Sequence, residues 1–140
     1  MGARPFVIAP AINAVIAQRL VRRLCDECKQ EYTPDEKELE RINRMFNIQN
    51  SAAKLPEIKK LYKTPEKECK KCNNTGYKGR IGIFELFVID KEMEKLIMSA
   101  ATTAEIFEAA ILAGMMTMAQ DGILKAIEGI TSIEEVDRVT

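Results

Sequence analysis

The chain contains no histidine and no tryptophan among its 140 residues. Without imidazole the commonest general base is missing, and Ser-His-Asp or Cys-His catalysis is excluded. No glycine is followed by lysine, so the Gly-x-x-x-x-Gly-Lys-Ser/Thr loop that cradles phosphates is absent from these residues. Gly76, Gly79 and Gly82 fall every third residue, which is not the dinucleotide fingerprint. No apolar run reaches the length needed to span a bilayer. The first ten residues lack a charged stretch followed by a long apolar one, so no secretory leader is expected. Net charge is lacking too, with 21 basic against 21 acidic residues. The balance is uneven along the chain. Residues 1–24 carry four arginines and no acid, whereas residues 81–140 carry a net of −7. The ordinary reading is solvated helix faces; the sharper one is an acidic surface that meets a basic surface on a partner or another copy.

Cysteine is scarce, and all of it is placed alike. Cys25-Asp-Glu-Cys28 and Cys69-Lys-Lys-Cys72 are the four cysteines of the chain. A Cys-x-x-Cys clip puts two sulfurs on one tight turn, and two clips supply the tetrahedral thiolate set that zinc prefers. Structural zinc on Cys25, Cys28, Cys69 and Cys72 is therefore expected, in a reducing compartment. Disulfides and a thioredoxin-like pair are the alternatives. A catalytic zinc fits poorly, because four protein ligands leave no position for water.

The remaining pattern is that of an α/β chain, mostly helical. Pro10 followed by Ile12, Val15, Ile16 and Leu20 at helical spacing predicts a helix running up to the first clip. Phe6 to Ile8 reads as extended. Thr33-Pro34-Asp35-Glu36 reads as a capping box that opens a helix with Leu39, Ile42 and Met45 or Phe46 on its apolar face. Ile58 to Tyr62 suits a short strand, and Ile81 to Ile89, rich in β-branched and aromatic residues, a longer one. Capped helices are expected from Asp90, from Thr102 with Glu105, from Thr117 to Glu128 with Gly129 at the C-cap, and from Thr131 with Glu134. Met115, Met116 and Met118 read as pliable core filling, and Glu134-Glu135 as solvent-facing. A metal-held lobe over residues 25–72 is expected to depend on its ion far more than residues 90–140 do.

Three segments together carry a family likeness. Ile12-Asn-Ala-Val-Ile-Ala-Gln-Arg-Leu-Val-Arg-Arg-Leu leads into Cys25, and Cys69-x-x-Cys72 is followed by Gly76-Tyr-x-Gly-Arg80-x-Gly-Ile-x-Glu-Leu86. The tail reads Asp121-Gly-Ile-x-Lys-x-Ile-x-x-Gly129-Ile-Thr-Ser-Ile-Glu-Glu-Val136. The set resembles the C-terminal part of the type II secretion and type IV pilus assembly ATPases, over essentially the whole chain. The resemblance implies a fragment of a cytoplasmic homo-hexamer of RecA-like P-loop domains, peripheral at the inner membrane, that works with a membrane platform protein. It implies that residues 1–24 end the RecA-like core, that residues 25–72 form the zinc lobe, and that residues 73–140 return to the core and complete a C-terminal helical lobe. It also implies that Arg80 lies on the adenine side of the nucleotide, with ATP and Mg²⁺ bound only by the full-length parent. The family's catalytic boxes precede this region, so no ATP turnover is expected of these residues alone. The alternative is a free-standing zinc ribbon that binds nucleic acid. Ribbons place about 15–20 residues between clips, whereas forty separate them here. Nucleic acid is therefore not an expected partner.

Overall fold

The computed structural model describes residues 9–49 and 51–140. Two long antiparallel strands, β1 (Ala14–Leu24) and β4 (Tyr77–Val88), form its spine. Between them the chain makes an excursion through a second small sheet, β2 (Gln30–Tyr32) paired with β3 (Leu61–Lys63), and helix α1 (Glu36–Phe46). Four helices follow β4: α2 (Lys91–Met98), α3 (Thr103–Leu112), α4 (Met118–Ile127) and α5 (Ile133–Asp137). Phe6 to Ile8 lies outside the described residues.

The segment after Pro10 is a strand, not the predicted helix. Only a short 3₁₀ turn, Ala9–Ala11, forms around Pro10. Pairing with β4 overrides the helical spacing, as tertiary context often does for β-branched residues. The burial pattern shows why. Ile16 is 66% exposed and Leu20 49%, whereas Val21, which lies off the supposed helical stripe, is buried. Toward the clips the register slips, so that Arg22 faces Arg80 but Leu24 faces Tyr77. The extra residue on β4 makes a bulge in which Gly79 takes a φ of +82°. From Tyr77 onward this glycine-rich stretch is thus ladder.

Helix α1 begins two residues later than the capping box implies: Asp35, not Thr33, is the N-cap and accepts from the Glu38 N–H at 2.8 Å. Its Ile42 and Phe46 are fully buried, as its apolar face predicts. Asp90 caps α2, and Thr102 with Glu105 forms a complete capping box on α3. Thr117 and Gln120 form another on α4. The buried Gln120 also donates to the Phe46 carbonyl at 2.7 Å, joining α4 to the end of α1. Thr131 does not cap α5. Ser132 is its N-cap, and the Thr131 hydroxyl donates instead to the Arg22 carbonyl at 2.8 Å.

Two buried clusters organise the packing. The first joins Ile42, Phe46 and Leu61 of the excursion to Ile123, Ala126, Ile133 and Val136 of α4 and α5. The second lies between α2 and α3 and holds Met93, Ala110, Ile111 and Met115. Met115 is core, as expected, while Met116 and Met118 are half-buried.

Candidate metal centre

The hairpin spine brings the two clips together. Leu24 and Tyr77 pair at its end, and Cys25 and Cys72 lie just beyond. The Cys25 N–H donates to the Gly76 carbonyl at 2.9 Å, which ties the first clip to the second. The first clip closes on itself, the Cys28 N–H donating to the Cys25 carbonyl. The second is closed by the turn after it, where the Asn74 N–H donates to the Cys69 carbonyl and the Thr75 N–H to the Cys72 carbonyl. Asn73 and Asn74 both have positive φ, and the Asn74 side chain accepts from the Cys69 N–H at 2.7 Å. The two asparagines therefore supply the left-handed turn that Asn tolerates better than most residues.

The four sulfurs of Cys25, Cys28, Cys69 and Cys72 lie within 4.8 Å of one another. Sγ of Cys28 is 3.7 Å from Sγ of Cys72. The edge of a tetrahedral zinc–thiolate set is about 3.8 Å. The donor chemistry fits as well. Burial disfavours the Cys72 thiolate, but the Gly76 N–H, at 3.3 Å from its sulfur, and the neighbouring thiols hold its pKa down to about 7. Burial, reinforced by the crowded sulfurs, pushes Cys28 the other way. Four sulfurs this close cannot all become thiolates without a cation between them. The residues present thus suit a soft divalent ion.

Gly76 is indispensable to this geometry. Its φ is +72°, and a Cβ there would stand 2.5 Å from Cγ2 of Thr64. Gly76→Ala should cost about 1–3 kcal/mol and speed metal loss to a chelator. Unchanged melting and release rates would refute that role.

The centre is anchored to the C-terminal helices. Lys29, next to the first clip, donates to the Gly129 carbonyl at 3.0 Å, and the Leu24 N–H donates to the Ile130 carbonyl at 2.9 Å. Gly129 follows the C-cap of α4 with a φ of +72°, as predicted. Glu135 departs from the sequence reading. It is 1% exposed rather than solvent-facing. Its Oε2 accepts from the Arg22 N–H and from Nη2 of Arg138, each at 3.0 Å. Its Oε1 accepts from Nη2 of Arg22 and from Nε of Arg138. Glu134 is exposed, as expected. No local signal in the sequence marks Glu135, because its partner Arg22 lies 113 residues away.

Arg80 is exposed on β4, opposite Arg22, and stands apart from the cysteines. No described helix is long and apolar enough to cross a membrane.

Comparison with known proteins places this arrangement in a family. The family model described as type II/IV secretion system protein matches residues 1–138. The type IV pilus assembly ATPase PilB of Thermus thermophilus is 43% identical over 97% of this chain, which spans 14% of that protein. The type II secretion system ATPase E of Vibrio cholerae is 41% identical over the whole chain, which spans 25% of it. PilB of Pseudomonas aeruginosa is 39% identical, and the chain spans 23% of its length. With a fold of short helices around a strand pair and four converging cysteines, the chain belongs to the type II/IV secretion system protein family.

Proposed function

We propose that this chain is the zinc-containing C-terminal module of a hexameric cytoplasmic ATPase that powers type II secretion or type IV pilus assembly at the inner membrane, acting on a membrane platform protein. The observation that carries this reading is the family match across residues 1–138, joined to the convergence of all four cysteines. In this reading residues 1–24 and the returning strand belong to a RecA-like core, and residues 25–72 form the zinc lobe. Zinc is structural: its four thiolates fix the base of the excursion, and no ligand position is left for water. ATP and Mg²⁺ bind the full-length protein, whose phosphate cradle lies outside these residues. The nucleic-acid alternative is not favoured, because the relatives described above are secretion or pilus-assembly ATPases.

Arg80 is the residue proposed to meet the nucleotide. A guanidinium is permanently charged and planar, so it can stack on a base. The test is Arg80→Ala. In the full-length protein it should weaken ATP binding or turnover, while zinc content and the melting temperature of residues 1–140 stay unchanged. Destabilisation of these residues by more than about 1 kcal/mol, beyond what an exposed ion pair contributes, would make Arg80 structural.

A further inference from the structure

Arg80 does not stand alone. Arg22, Arg80 and Arg138, with Leu20, line one open hollow of about 470 Å³ beside the end of the spine. Three different elements deliver the three guanidinium groups: β1, β4 and the end of α5. Arg22 and Arg80 are directly opposed across the ladder. Like charges in that position destabilise a sheet. Among the described residues only one acid side chain answers them. The Glu135 carboxylate is buried beneath Arg22 and Arg138, and each of its oxygens already accepts two hydrogen bonds. It cannot serve Arg80, for which no ion-pair or hydrogen-bond partner is found among the described residues.

The same contacts fix the aim of two of the arginines. Arg22 lies 4.1 Å from the centroid of the Tyr77 ring, and the Tyr77 hydroxyl is 3.0 Å from Oγ of Ser132. Glu135 holds Arg138 through two parallel hydrogen bonds. Yet the Arg22 and Arg138 side chains remain 48% and 55% exposed. A guanidinium has five N–H donors in a rigid fork, and most of those on the three arginines have no partner among the described residues. Ordered arginines with surplus charge and free forks suit a tetrahedral oxyanion.

We propose that Arg22, Arg80 and Arg138 form a binding site for the phosphate group of a small phosphorylated ligand, with Glu135 as the residue that positions two of the three. The site rests on the hollow and its charge, independently of the motor reading. Its ligand contact is to phosphate oxygens, whereas the contact proposed above for Arg80 is to a base. The Arg22 and Arg138 forks are set before the ligand arrives, and Arg80 completes the cradle from the opposite strand.

The test is an NMR titration of the zinc-supplied chain that follows the arginine Nε–H resonances. Inorganic phosphate is the probe, with chloride at matched ionic strength and adenosine as the other arms. Saturable shifts at Arg22, Arg80 and Arg138 with phosphate, not with chloride, are expected. Arg80→Gln should weaken that binding about tenfold, the order expected for losing a charge-assisted fork. Arg80→Lys, which keeps the charge without the fork, should fall between. Shifts that track ionic strength alone would overturn the proposal, as would phosphate binding unchanged in Arg80→Gln. Saturation by adenosine and not by phosphate would also overturn it, while leaving the base-side role of Arg80 standing.

Discussion

Cys72→Ser should abolish stoichiometric zinc binding and unfold the excursion together with α4 and α5. Elemental analysis of the unaltered chain should give close to one zinc per chain. The large effect follows from where the metal sits. It closes the base of a long excursion whose own apolar content is small, and structural zinc in peptides contributes on the order of 10 kcal/mol at neutral pH. From the sequence, most of the damage is expected in residues 25–72, with 90–140 partly protected. The shared cluster of Ile42, Phe46 and Leu61 with Ile123, Ala126, Ile133 and Val136 moves that boundary. Lys29 and Leu24 reinforce it through the Gly129 and Ile130 carbonyls. Helices α2 and α3 keep their own cluster around Met93 and Ile111. Hydrogen exchange on the variant should therefore show protection lost in α1, α4 and α5 and partly kept in α2 and α3. Continued protection of α4 and α5 in the metal-free variant would refute the coupling.

Glu135→Ala should destabilise the chain by about 3 kcal/mol, the low end of what removing one partner of a buried ion pair costs. The change strands the Arg22 N–H and removes the acceptor from two guanidinium groups. Acid should expose the same network. Burial acts to raise the Glu135 pKa, but hydrogen bonds from Arg22 and Arg138 outweigh it and hold the value at about 2. The native carboxylate thus binds its proton less readily than the unfolded one. Its contribution is complete above the ordinary carboxylate range and is lost as pH falls through that range toward 2. Glu135→Gln, which keeps the shape, should flatten the stability profile between about pH 5 and pH 2. Denaturant melts across that range measure it, and parallel profiles for the two proteins would rule out this role for Glu135.

The chemistry of the metal centre was legible in the sequence because it depends on local spacing. Each clip is four residues long, and only the meeting of the two needs the fold. The caps at Asp90 and Thr102 were legible for the same reason. What escaped was set by partners distant in the chain. The stretch from Ile12 to Leu24 satisfies helical spacing, and only the presence of β4 decides that it extends. Glu135 lies on a short helix beside an exposed glutamate, and nothing nearby in sequence shows that Arg22, 113 residues away, covers it. Thr131 had the right spacing for a cap, yet its hydroxyl went to a strand carbonyl. The bulge at Gly79 follows from a register slip that no single strand reveals.

The placement of the clips at the foot of the spine has an evolutionary consequence. Ladder pairing from Ala14 with Val88 to Leu24 with Tyr77 is complete before the chain departs, and the cysteines begin immediately beyond. The strands therefore sense the foot of the excursion and not the length of what it encloses. Extending a flexible loop is cheap, about 0.6 kcal/mol for each doubling. Insertions and deletions between Cys28 and Cys69 that spare β2, α1 and β3 should accordingly be tolerated, whereas one residue added between Cys72 and Tyr77 should shift the second clip against the first. Among relatives, length variation should concentrate in the connector after Phe46 and vanish between Cys72 and Gly82.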